Sequence, residues 1–160
     1  MTVDNVLTWM ESSAVGQAVL NNAWFFPTLE TLHFVGLILL IGSLYVMDLR
    51  LMGFARQIST AAVMKLVPLS LLGFGINVVT GTLFLFADPF RYYPNLAFRL
   101  KMLAILLAGL NLLWLRFAAH PDLFRRADAE PTPTVRLIAV ISLLLWTSVI
   151  VFGRLIPYVE

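Results

Sequence analysis

A long apolar run with an imidazole at one end and a basic foot at the other constrains this chain more than any other stretch. Residues 30–56 read ETLHFVGLILLIGSLYVMDLRLMGFAR. The run begins near Leu32, continues to about Met47 and stops at Asp48 and Arg50. A helix needs roughly 20 residues to cross the hydrocarbon of a bilayer, so this segment reads as a membrane span. An ionisable side chain at that depth costs on the order of 2–3 kcal/mol. His33 therefore calls for a partner or a function.

The rest of the chain has the same character. Of 160 residues, 60% are hydrophobic and 12% charged, with a mean hydropathy of +0.88. A soluble domain is nearer half apolar and a quarter charged, so an integral membrane protein is expected, all-α because helices satisfy their own backbone. The length suits four spans in one domain, read at residues 28–49, 61–86, 98–117 and 135–157. A net charge of +2 and a pI near 9.3 reflect a few arginines at helix ends, not a nucleic-acid surface. With no cysteine, disulfides, thiolate metal sites, iron–sulfur clusters and cysteine-linked haem are excluded. The first residues, MTVDNVLTWMESS, lack the basic start of a signal peptide, so a mature N-terminus is expected.

Before the first span, residues 4–20 read as a short amphipathic helix lying at the membrane interface, capped by Asp4, with Leu7, Met10, Ala14 and Ala18 near one face. Asn21 and Asn22 end it. Trp24, Phe25 and Phe26 resemble an aromatic belt, and Pro27 suits the first turn of the next helix. Pro68 is an expected kink in the second span. Residues 87–98 (ADPFRYYPNLAF) and 120–134 (HPDLFRRADAEPTPT) read as loops.

Arginine and lysine set the orientation. One side collects Arg50, Arg56, Lys65, Arg116, Arg125, Arg126 and Arg136; the other collects Arg91, Arg99, Lys101 and Arg154. The first side is expected to be cytoplasmic, in a bacterial inner membrane, with both termini periplasmic or extracellular.

Up-and-down helices bring Glu30, His33, Lys101 and Arg154 into one outer layer, with His120 at the opposite end. Below that layer each span has a face of small or polar residues. Those faces are His33, Gly36, Leu40, Ser43 and Met47; Gly73, Asn77, Thr80 and Gly81; Lys101, Ala104, Ala108 and Asn111; and Leu143, Thr147, Val151 and Arg154. Such stripes either let helices pack closely or leave room for a flat ligand. One imidazole, one carboxylate and two cations over such a pocket fit haem b, since imidazole Nε2 is an iron ligand and bundle cores host such cofactors. In this expectation His33 is the metal ligand. Lys101 and Arg154 hold propionates or a quinone oxygen, Glu30 orients His33 or takes a proton, and Asn77, Thr80 and Asn111 support the ring, the tautomer or a water. His120 is too far from His33 to share the iron, so the haem is five-coordinate or takes another ligand such as Met102. A copper centre lacks clustered methionines or a His-x-His near His33, and no serine is placed for nucleophilic catalysis.

The run LHFVGLILLIGSLYVMDLRLMG, the later TGTLFLF and the lysine opening the third span resemble the HemJ-type protoporphyrinogen oxidases. That resemblance implies a four-helix bundle binding haem b, with His33 and Lys101 as functional positions. The chain is also similar, over nearly its whole length, to an uncharacterised bacterial family of four-span membrane proteins. The pattern is Trp24-x-x-Pro27-x-x-Glu30-x-x-His33, then DLRL-x-G at Asp48 to Gly53, TG-x-x-F at Thr80 to Phe84, Asn95-x-x-Phe98-x-x-Lys101, and Gly153-Arg154. Glu30 and the terminal Gly-Arg depart from the oxidase pattern. The leading expectation is a membrane haem b protein moving electrons between quinol or a redox partner subunit and an acceptor, within the bilayer and as a monomer or homo-oligomer. A porphyrinogen oxidase-like enzyme and a cofactor-free membrane subunit or small-molecule carrier are the alternatives.

Overall fold

In the computed structural model, residues 2–119 and 130–159 are described, and among them all regular structure is helical. Four helical stretches are long and apolar enough to cross a membrane: Phe25–Met52, Thr60–Ala87, Leu96–Ala118 and Pro133–Tyr158. The chain is thus a multi-pass, all-α membrane bundle. The spans are α3 (Phe25–Met52), α5 (Val67–Ala87), α7 (Leu96–Ala118) and α8 (Pro133–Leu155); α3 and α7 overrun the expected boundaries at both ends, α5 begins six residues later than expected, and α8 begins and ends two residues earlier. His120, Arg125 and Arg126 lie outside the described residues.

Each span starts and stops for local reasons. Asn95 caps α7 by accepting from Phe98 N at 3.0 Å, and Thr132 caps α8 by accepting from Val135 N at 3.4 Å. At the foot of α3, Gly53 takes the left-handed conformation (φ 102°) that closes a helix. The second span enters through α4 (Thr60–Val63) and a 3-10 turn, Met64–Leu66. The irregularity expected at Pro68 therefore falls just before it. Pro68 occupies the first turn of α5, where its missing N–H breaks no bond. The loop expected after that span contains a one-turn helix, α6 (Pro89–Tyr92).

The N-terminal segment differs from the single interfacial helix expected over residues 4–20. It is two helices, α1 (Val3–Ser12) and α2 (Ala14–Asn21), split at Ser13. The Ser13 hydroxyl donates to Met10 O at 2.6 Å and accepts from Gly16 N at 3.1 Å. A serine cap resets the helical phase. Leu7, Gly16 and Val19 are consequently buried, while Ala14 and Ala18 are exposed. Both helices pack on the end of α5, with the Trp9 ring edge-on to Phe86 at 6.0 Å.

α3 runs along α5 on one side and α8 on the other, and α7 pairs with α8. The α3–α5 approach is the closest. A Cβ on Gly73 would lie 2.5 Å from Leu40 N, and one on Gly36 would lie 2.6 Å from Asn77 Nδ2. Those two glycines are packing residues. Across the other contacts, Tyr45 Oη and Thr147 Oγ1 are 2.6 Å apart, and Asn111 Nδ2 donates to Ile138 O at 3.0 Å. Compact apolar clusters close both ends: Leu51, Val135 and Ala139 at the basic foot, and Val19, Leu29 and Ala87 at the other. The middle of the bundle is not closed.

Candidate functional site

Two cavities lie one above the other in that middle. The outer has a volume of about 270 Å³ and is headed by His33, Asn77 and Lys101. The inner has about 230 Å³ and is lined by Asp48, Ser70, Asn111 and Ser142 among apolar residues. Leu40, Phe74, Ile105 and Trp146 border both and divide them. The Phe74 and Trp146 rings meet edge-on at 6.5 Å. The exposed lining residues (Leu71, Phe74, Val78, Thr82, Met102, Gly109 and Leu112) all belong to α5 and α7. Both cavities therefore open sideways through the α5–α7 seam, toward the surface that lipid covers.

His33 is held from α5. Its Nδ1 is 2.7 Å from Thr80 Oγ1. The same hydroxyl lies 2.8 Å from Ile76 O, the carbonyl one turn back. A threonine hydroxyl has one proton. With that proton on Ile76 O, Oγ1 can only accept, so the network assigns the histidine proton to Nδ1. Nε2 is left as a bare lone pair. Metal-binding histidines are oriented in this manner, by a hydrogen bond from the nitrogen that does not ligate. Gly81 lies against the ring, where a Cβ would make ordinary contact with His33 Cε1 at 3.9 Å. Phe84 packs edge-on at 5.7 Å. The Thr-Gly-x-x-Phe motif is thus one wall around the imidazole.

Lys101 reaches the same cavity from α7. Asn95, Phe98 and Lys101 rise on one face of that helix at intervals of three. Asn95 fixes their register: beyond capping, its Nδ2 donates to Ile156 O at 3.0 Å and Val159 O at 2.5 Å. Gly153 borders the lysine stem, where a Cβ would make ordinary contact with Lys101 Nζ at 3.6 Å. Among the described residues no carboxylate pairs with Lys101. Asn77 donates to Gly73 O at 2.8 Å, and its Oδ1 is buried without a partner.

The remaining expected site residues are elsewhere. Glu30 is exposed and outside the cavity lining. Arg154 is exposed, with its guanidinium over the Tyr158 ring at 5.3 Å. Asn111 lines the inner cavity rather than the outer. Sequence reasoning passed over Asp48, which it took only as the end of an apolar run. Asp48 is 5% exposed, its Oδ2 lacks a partner, and its carboxyl faces the Ser142 hydroxyl. It also missed how deeply Arg50 is buried, at 2% exposure. Arg50 Nε donates to Ile58 O at 2.5 Å, and Arg50 and Arg136 both approach Glu130, at 3.9 and 3.7 Å. That arginine holds the chain turn at the basic foot.

Among the described residues no group of three or more histidine or acidic side chains could cage a bare metal ion. The histidine offers a single ligand, suited to an ion whose other positions are already filled.

No curated protein and no solved structure matches the chain. A family model described as a family of unknown function, DUF6644, matches residues 6–159, and the chain belongs to that family.

Proposed function

We propose that this protein binds haem b in the outer cavity, with His33 Nε2 as axial ligand, and passes electrons within a bacterial inner membrane. The observation that carries this reading is the Thr80 hydroxyl, 2.7 Å from His33 Nδ1 and 2.8 Å from Ile76 O, because donating its one proton to Ile76 O makes it an acceptor for Nδ1. It leaves a neutral imidazole with its lone pair free beside a cavity. The donor set fits the group. Nε2 would supply one bond to the iron, and Lys101, without an anionic neighbour among the described residues, would supply charge for a propionate. The sideways opening lets a flat ring extend past the lining. Met102, half exposed on the seam, lines the same cavity and would be the candidate for a second ligand. Bound haem would supply one-electron chemistry; the chain holds the imidazole in one tautomer and excludes water with Phe84, Phe98 and Leu37. In this reading the end with Arg50, Arg56, Lys65, Arg116 and Arg136 is cytoplasmic, by its excess of basic residues. A partner subunit or a membrane quinol donates the electrons. Glu30 and Arg154, both exposed at the outer end, are placed to meet such a partner rather than the haem.

The test is the visible spectrum of the purified protein after expression with haem supplied. A Soret band that disappears in His33→Ala supports the reading. A colourless, fully folded wild-type protein overturns it.

The resemblance to the porphyrinogen oxidases gives a second reading, favoured by one feature. A cation unpaired among the described residues, set in an apolar cavity, suits a substrate bearing carboxylates, and a tetrapyrrole has them. Rescue of a strain lacking that oxidase would establish this enzyme activity. Absence of rescue at normal expression would leave the electron-transfer reading alone.

A further inference from the structure

At the basic foot, two guanidiniums from separate stretches of chain close on one glycine. A Cβ on Gly53 would lie 3.7 Å from Arg56 Nη2 and 3.9 Å from Arg136 Cζ. Each arginine is pinned through its Nε, Arg56 to Gly53 O at 3.0 Å and Arg136 to Pro131 O at 3.2 Å. The turn that carries Arg56 is fixed from beneath, because the buried Arg50 donates to Ile58 O. The outer N–H groups remain to be used. Among the described residues Arg56 has no ion-pair partner. Arg136 Nη2 has only Glu130 Oε2, at 3.7 Å, beyond hydrogen-bond length, and Arg50 approaches the same carboxylate. Arg136 also stands in the first turn of α8, which holds no acidic residue and where the helix dipole disfavours a cation. Two like charges facing one point repel, so the pair is set for an anion between them. Both side chains are open to the outside, Arg136 at 41% and Arg56 exposed in its turn. Paired planar forks suit phosphate. Phe54 and Ile58, 60% and 40% exposed on that turn, set the site against lipid at the headgroup level.

We infer that Arg56 and Arg136 clamp the phosphate of an anionic phospholipid at the basic end of the bundle. The phosphate sits between the two forks, and its acyl chains lie in the bilayer beside Phe54. This site is at the opposite end of the spans from His33 and Lys101, and it does not rest on the haem reading.

The test is lipid binding to the full-length protein in a non-ionic detergent, read by native mass spectrometry. Dioleoyl phosphatidylglycerol is the probe and dioleoyl phosphatidylcholine, whose choline cancels the phosphate charge, is the control. Phosphatidylglycerol is expected to bind about tenfold or more tightly than phosphatidylcholine. Arg56→Gln and Arg136→Gln should each lower that preference about fivefold. Arg56→Lys, which keeps the charge but not the fork, should retain only part of it. Lys65→Gln at the same end and Arg91→Gln at the other should leave it unchanged. Should Arg136→Gln fail to fold, Arg56→Gln, in an exposed turn, carries the test alone. Inorganic phosphate is expected not to displace the lipid; displacement at matched concentration assigns the site to a soluble anion and overturns the inference. Equal affinity for the two lipids overturns it. So does a loss in Lys65→Gln as large as in Arg56→Gln, which is the mark of general surface charge.

Discussion

The Nδ1 of His33 and the Oγ1 of Thr80, 2.7 Å apart, join two helices and set the tautomer of the imidazole in one contact. Thr80 is 3% exposed and its hydroxyl also lies 2.8 Å from Ile76 O, so with its one proton on that carbonyl it accepts from Nδ1. Thr80→Val keeps the shape and removes the acceptor. Losing the group that orients a metal-binding histidine reduces metal affinity by about 10–100-fold. Haem retained through purification should fall by that order in Thr80→Val, while Thr80→Ser restores it. The ratio of Soret to protein absorbance measures both.

Gly36 and Gly73 permit the closest helix approach in the bundle, and overpacking such a contact costs about 1–3 kcal/mol. Gly73→Ala would bring a Cβ to 2.5 Å from Leu40 N and 2.6 Å from Gly36 O, both backbone atoms with nowhere to move. Thermal unfolding in detergent should therefore start lower in Gly73→Ala. Gly42→Ala, with nothing within 4 Å of the new Cβ, should unfold like the wild type.

Asn95 does two jobs, capping α7 and tying down the C-terminal turn. Loss of a cap alone costs about 0.5–2 kcal/mol. Asn95→Ala should lower the unfolding temperature and speed amide exchange over residues 155–159. Asn95→Asp, which keeps the cap but not the amide donors, should affect mainly the C-terminal turn.

Tyr92, in α6 outside the spans, has its phenol pushed above the usual value near 10, chiefly by burial, opposed by Arg91 and reinforced by Asp88 and Glu30. The raised folded value means that the unfolded chain loses this proton first. Stability from Tyr92 is complete below pH 10 and declines as pH rises from there through the folded value. Phenolate absorbance should show a late-titrating tyrosine that vanishes in Tyr92→Phe, and Glu30→Gln should move it to lower pH.

Much of the fold was readable because bilayer hydrocarbon demands long apolar helices, and the four runs stand apart from their polar connections. Asn95, Phe98 and Lys101 entered from the sequence only as a motif of the family resemblance; in the structure Asn95 caps the helix that carries the other two. Where that logic failed, the cause was local chemistry. Ser13 interrupts a helix that the apolar pattern alone would continue, and it turns Ala14 and Ala18 outward. At the site, His33 and Lys101 could be brought together from helix direction alone. The Thr80 contact could not, because it spans 47 residues and depends on the rotation of α5 against α3. That rotation is set by the tight meeting of Gly36 and Gly73. Asp48 was hidden for a different reason: a carboxylate ending an apolar run looks like the edge of the membrane. Only packing shows it 5% exposed on a cavity wall.

Titrating haem into the purified protein tests the central claim most directly. The account predicts saturation at one haem per chain with a Soret band, about 10–100-fold weaker binding in Thr80→Val, and no specific binding in His33→Ala. Wild-type protein that is folded yet binds no haem, or a His33→Ala variant that binds as well as wild type, would contradict it.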